Sequence, residues 1–169
     1  AALWGAVLQW MGHRPRWSAL LPAYLSSNVR KYLPGGIWHL ATRLHWLRAP
    51  QASGLLQRTE PLPAARALGA VLLDPLVAAV AALALVVCGG WQSGLGLLAW
   101  LPLLLLRPRW LAPLLAWVER RKAAALGVEP SPQPLNSTYP WQPLLVALGF
   151  VLLRFSGFAC CLMALDLPP

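Results

Sequence analysis

The chain has 169 residues, of which 58% are hydrophobic and 11% charged, against about a quarter charged in ordinary soluble domains. So few polar residues cannot cover the surface of a soluble domain of this length, which points to lipid as the solvent. Fourteen Lys and Arg against five Asp and Glu give a net charge of +9, yet the basic residues flank apolar segments instead of clustering on a polar domain, which excludes a nucleic-acid partner.

Residues 1–12 are apolar and end at His13-Arg14-Pro15-Arg16. They read as the last part of a helix emerging into a basic, cytoplasmic loop, and the apolar start at Ala1-Ala2-Leu3-Trp4 reads as part-way through a span. Residues 17–48 form the next unit. Its first half, 17–29, covers only about 20 Å as a helix, against a hydrocarbon core of about 30 Å. Both flanks are basic. A re-entrant or interfacial helix pair, broken at Pro34-Gly35-Gly36, fits these facts. Pro34 removes a backbone donor and the glycines permit positive φ, so one helix stops and another starts near Ile37. The free N–H groups of the second helix form an anion site one turn from Arg30 and Lys31. A lipid phosphate or diphosphate is the expected ligand; the plainer alternative is an interfacial elbow whose basic residues touch anionic headgroups.

Residues 49–66, with three prolines and two arginines, read as a cytoplasmic loop. Residues 67–88 follow as the first full span. Ten Leu or Val within 70–88 contribute about −3 to −6 kcal/mol of insertion energy, against at most about +3 for an off-centre Asp74. The uncharged turn at 89–94 leads into a short return helix at 95–106. A basic segment and proline-rich linker fill 107–140, the stretch 107–122 carrying Arg107, Arg109, Arg120, Arg121 and Lys122 against one acid, Glu119. The last span is 141–165, interrupted by Arg154. The turn has no Lys or Arg while the segments either side of the hairpin are basic, so 49–66 and 107–140 face the cytoplasm and the turn faces out. The expected class is therefore an all-α, polytopic helical integral membrane protein of the plasma (inner) membrane, multi-pass, with a broken helix pair and one transmembrane domain over 1–169.

Two charges lie within full spans. An Arg at the midplane costs about 2.5–3.5 kcal/mol, so Arg154 should face protein, water or a partner. The expectation is a polar cavity shared by Asp74 and Arg154; the alternative is that Arg154 pairs with Asp166 or snorkels alone. His39 and Arg43 share a helix face and so join the candidate headgroup site or merely decorate an interface. Ser26, Ser27 and Asn28 satisfy backbone or line the break; no base stands by to make either serine a nucleophile. Cys88, Cys160 and Cys161 read as small hydrophobes, and neither a disulfide framework nor a metal spacing is present. Several of the ten Trp residues, Trp17, Trp91, Trp110 and Trp141 among them, sit near predicted span ends as interface anchors. Asn136-Ser137-Thr138 matches a glycosylation acceptor, but in a loop expected to be cytoplasmic.

The string Lys31-Tyr32-Leu33-Pro34-Gly35-Gly36-Ile37-Trp38-His39, with Arg43 a turn later, resembles the lysylphosphatidylglycerol synthase transmembrane region, a family of flippase-like membrane proteins. With Trp38-His39 and Leu73-Asp74-Pro75-Leu76 the chain resembles cyanobacterial members most closely, over the middle portion of a domain of roughly eight spans. Family members often carry a Glu-Arg pair where this chain has Asp74-Pro75: the acid is kept in kind and the Arg is absent, which puts any role of that pair in doubt. In the bacterial namesake this region moves aminoacylated phospholipid across the bilayer while a separate soluble domain performs aminoacyl transfer. No such domain is present in this sequence, so the resemblance implies translocation and no synthase activity.

The functional expectation is translocation of a lipid or lipid-linked substrate, passive or gradient-driven because no ATP-binding loop is present, with no cofactor and no catalytic residues. The substrate-binding candidates are Arg30, Lys31, Tyr32, Pro34, Gly35, Gly36, His39, Arg43, Asp74 and Arg154. The expected partners are membrane lipids, through phospholipid or polyprenyl phosphate headgroups. A non-catalytic scaffold or regulator of an envelope-lipid enzyme is the first rival. An intramembrane transferase ranks last, since the nearest acid to the break is the loop residue Glu60.

Overall fold

A computed structural model of the chain describes residues 1–32, 38–49, 53–57, 61–89, 103–104, 106–107, 109–111, 113, 117 and 138–165. The described residues are helical, with no β-strand among them beyond an isolated antiparallel bridge between Pro15 and Leu56. The elements are α1 (Ala2–Trp10), α2 (Trp17–Val29), a 3-10 turn (Arg30–Tyr32), α3 (Trp38–Arg48), α4 (Ala64–Gly89) and α5 (Trp141–Ala164).

Short as it is, α1 sits at the centre, with seven of its nine residues buried. Leu3, Val7 and Trp10 pack into a cluster with Leu73, Val77 and Ala81 of α4 and Leu144, Ala147 and Val151 of α5. Trp4 and Leu8 point into a second cluster with Leu20 of α2, Leu47 of α3 and Ala67, Ala70 and Val71 of α4. A helix apolar on every side is stable only when neighbours cover every side. Its end is a Schellman motif: Gly12 takes a positive φ of 85°, the Gly12 N–H donates to Gln9 O and the His13 N–H to Leu8 O, both at 2.9 Å. Glycine suits that left-handed position because it has no Cβ to clash. The chain then enters α2, which crosses α1 so closely that a Cβ on Gly5 would overlap the Trp17 ring.

The loop expected over 49–66 does more than connect. Its leucines turn inward, with Leu55, Leu56 and Leu62 buried in the second cluster. The Arg16 N–H donates to Leu55 O at 2.8 Å and the Gln57 N–H to Arg14 O at 2.9 Å. Its last three residues are already helical, because Pro63 is followed by the good helix formers Ala64, Ala65, Arg66 and Ala67, and the Ala67 N–H reaches Pro63 O at 3.0 Å. The helix expected over 67–88 therefore runs over 64–89. That corrects the depth of Asp74. It stands ten residues past Ala64, about 15 Å along the axis, near the middle of α4 and not toward its end.

Two helices are long and apolar enough to cross a membrane: Arg66–Leu85 within α4 (20 residues) and Trp141–Ala164, the whole of α5 (24 residues). In α5, Pro143 falls in the first turn, where its missing N–H would have had no helical partner in any case. The helix expected over 141–165 ends one residue earlier. The break at 33–37, including Pro34, Gly35 and Gly36, lies outside the described residues, as do the turn at 90–94 and most of the return helix (95–106) and of the 107–140 segment.

Candidate functional site

Arg43 organises the polar interior. It is 2% exposed and Asp74 6%. The Arg43 Nη1 donates to Asp74 Oδ2 at 2.8 Å, its Nη2 to Asn28 Oδ1 at 3.0 Å and its Nε to Ser27 Oγ at 3.0 Å. The Ser27 hydroxyl in turn donates to Tyr24 O at 2.8 Å. The guanidinium carbon lies 4.2 Å from the centroid of the Tyr24 ring and 5.2 Å from that of Trp4. Four elements thus converge on one cation: α1 through Trp4, α2 through Tyr24, Ser27 and Asn28, α3 through Arg43 and α4 through Asp74.

The spacing explains the geometry. Tyr24, Ser27 and Asn28 fall at i, i+3 and i+4 and so share one face of α2. Taking two charges out of water is costly unless their remaining donors and lone pairs are satisfied. Here Asn28 and Ser27 meet two further donors of the fork, and the aromatic faces meet its plane. Arg43 is therefore committed to the protein. It is a poor candidate for gripping a ligand phosphate.

Beside this cluster lies a cavity of ≈ 710 Å³. Its polar wall is Asn28, His39, Arg43, Asp74 and Arg154; its apolar wall includes Leu3 of α1, Ala78 of α4 and Val146, Phe150 and Leu153 of α5. Asp74 and Arg154 therefore line one cavity, although no ion pair joins them: the Asp74 carboxylate is taken by Arg43. Asp166, the other conceivable partner of Arg154, lies outside the described residues.

The remaining predicted site residues separate into two places. His39 and Arg43, four apart on α3, both face the cavity. Arg30 points elsewhere, donating to Thr42 Oγ1 at 2.6 Å on an exposed surface. Tyr32 is 92% exposed and does not line the cavity. The Lys31 side chain, Pro34, Gly35 and Gly36 are outside the described residues. Asn28 and His39, which flank the break in sequence, both border the cavity. Among the described residues no group of three or more His, Cys, Asp or Glu is arranged to hold a metal ion.

Sequence reasoning named Arg43 and Asp74 and set Asp74 and Arg154 on one cavity, but it did not join Arg43 to Asp74, and it left Trp4 and Tyr24 out of the site. The signal for Asp74 was its being the one acid of a long apolar helix; Arg43, on a helix that also carries His39, His45 and Arg48, gave no such signal; the signal for Tyr24 was its shared face with Ser27 and Asn28.

Comparison of the chain with protein-family models, with curated proteins and with solved structures finds no match. The function is therefore argued from the residues and their geometry.

Proposed function

We propose that the chain is part of a polytopic plasma (inner) membrane protein, with its basic segments 49–66 and 107–140 in the cytoplasm, that translocates a lipid or lipid-linked substrate. One observation carries this reading: a cavity lined both by charged, hydrogen-bonding side chains and by apolar ones. That mixed lining suits an amphiphile, whose headgroup needs polar partners and whose chain needs oil. The outward surface of α5 supports the same solvent, since Leu145, Leu152, Phe155 and Phe158 are all exposed, and an apolar surface of this kind marks contact with lipid or a partner.

Headgroup recognition begins at the break that the sequence places at Tyr32–Gly36, between Asn28 and His39, which line the cavity. The similarity of Lys31–His39 to the lysylphosphatidylglycerol synthase transmembrane region points the same way. The test is a flipping assay on the protein reconstituted in liposomes, with fluorescent phospholipids and polyprenyl phosphates. Transfer above the protein-free rate for at least one phosphate lipid is expected, reduced by Arg30→Ala plus Lys31→Ala. Absence of transfer with every lipid would overturn the reading.

A second reading, a non-catalytic scaffold or regulator of an envelope-lipid enzyme, draws on the Arg43–Asp74 pair, which is as fully satisfied as a purely structural pair would be. The same assay separates the two, because a scaffold moves no lipid.

A further inference from the structure

Arg154 stands fourteenth of the 24 residues of α5, about 20 Å from its start by helix rise. It lines the cavity, and among the described residues it makes no hydrogen bond or ion pair. The carboxylate that shares its cavity is already bonded to Arg43 at 2.8 Å. With Arg43 and Asp74 cancelling, the charge of Arg154 is left among the Arg, Lys, Asp and Glu side chains of the cavity without a counter-ion from the described residues. A cation within a 24-residue apolar helix is expensive without a counter-ion, and Val146, Phe150 and Leu153 of the same helix supply an apolar wall beside it.

We infer that Arg154 is the charge-selecting residue of the cavity, gripping the phosphate of an amphiphile whose headgroup is net negative and discriminating against the zwitterionic headgroup of equal chain length. This rests on the lipid-handling reading above and names its substrate class. A guanidinium fork takes two phosphate oxygens at once, while Asp74, held by Arg43, repels the anion only weakly. In a zwitterionic lipid the trailing ammonium would have to share the cavity with Arg154, against like charge.

Binding is measured on the whole protein in detergent micelles, titrated separately with phosphatidylglycerol, with phosphatidylcholine of identical chains, and with glycerol phosphate and inorganic phosphate as chain-free anions. The wild type is expected to prefer phosphatidylglycerol to phosphatidylcholine by about tenfold, with the chain-free anions far weaker than phosphatidylglycerol. Arg154→Gln should abolish the preference by weakening phosphatidylglycerol alone, and Arg154→Lys should keep most of it. Arg154 is exposed, so neither change opens a void, and unchanged helix content would verify the fold. A preference that survives Arg154→Gln overturns the assignment of Arg154 while leaving lipid handling intact. Tight binding of free phosphate, equal to the lipid, overturns the amphiphile class. A wild type that neither binds nor moves any lipid overturns this inference together with the proposed function.

Discussion

At the residue scale the protein turns on Arg43 and Asp74. Each makes the other tolerable: removing one partner leaves the second buried and unsatisfied, which costs about 3–5 kcal/mol. Asp74→Asn and Arg43→Leu should therefore each lower the thermal unfolding midpoint in detergent sharply, whereas Arg43→Leu combined with Asp74→Leu should lower it less than either single change. Additive losses would show that the two side chains act independently. Tyr139 offers a test outside the long helices. Its hydroxyl donates to Leu103 O at 3.1 Å; burial pushes the phenol above its ordinary value of 10.0, and the Arg107 charge opposes this in part. A raised folded value means that the neutral phenol is favoured in the fold, so this contribution is fully present below pH 10 and is lost as pH climbs through the higher folded value. Unfolding midpoints followed from pH 8 to 11 should fall less steeply in Tyr139→Phe than in the wild type.

At the element scale, the existence of the helices was legible because apolar runs and prolines mark them: α2 and α5 begin and end within a residue of their expected positions, and α4 was found though its start lies three residues earlier. The role of α1 was not legible. Eight apolar residues with Gln9 as the one polar side chain leave almost no polar face, and nothing local says that neighbours will cover seven of the nine. Likewise, Leu55, Leu56 and Leu62 sit among prolines and polar residues, and their burial follows from long-range packing against α1 and α4. The site was half visible for the same reason. Lone charges announce themselves, but which charges pair depends on how four elements cross. That crossing has a testable pinch point. Gly5 faces the Trp17 ring and Leu20, so Gly5→Leu should force α1 and α2 apart, destabilising the protein by about 1–3 kcal/mol and weakening the cluster that α2 contributes to Arg43. Gly149→Ala, where nothing lies within 4 Å of the added carbon, is the control and should leave the unfolding midpoint no lower than the wild type, since alanine gains about 0.5–1 kcal/mol over glycine inside a helix.

At the scale of the whole molecule, an apolar core surrounds one buried ion pair and its hydrogen bonds, while α5 also turns Leu145, Leu152, Phe155 and Phe158 outward. Water makes such an arrangement aggregate; a bilayer makes it the stable one, because helices satisfy their own backbone and lipid chains cover the apolar surface. The proposed lipid handling, the selectivity assigned to Arg154 and the proposed cytoplasmic placement of the basic segments all depend on that solvent. Depth measurement by spin labels addresses it directly. Single labels at positions 141, 145, 152, 158 and 163 of α5, in a background with Cys88, Cys160 and Cys161 replaced by serine, are compared for collisions with oxygen and with a water-soluble nickel complex in liposomes. Oxygen access should rise and nickel access fall from position 141 toward 152, then reverse toward 163. Uniformly high nickel access along the whole helix would mean that α5 lies in water, contradicting the account at its base.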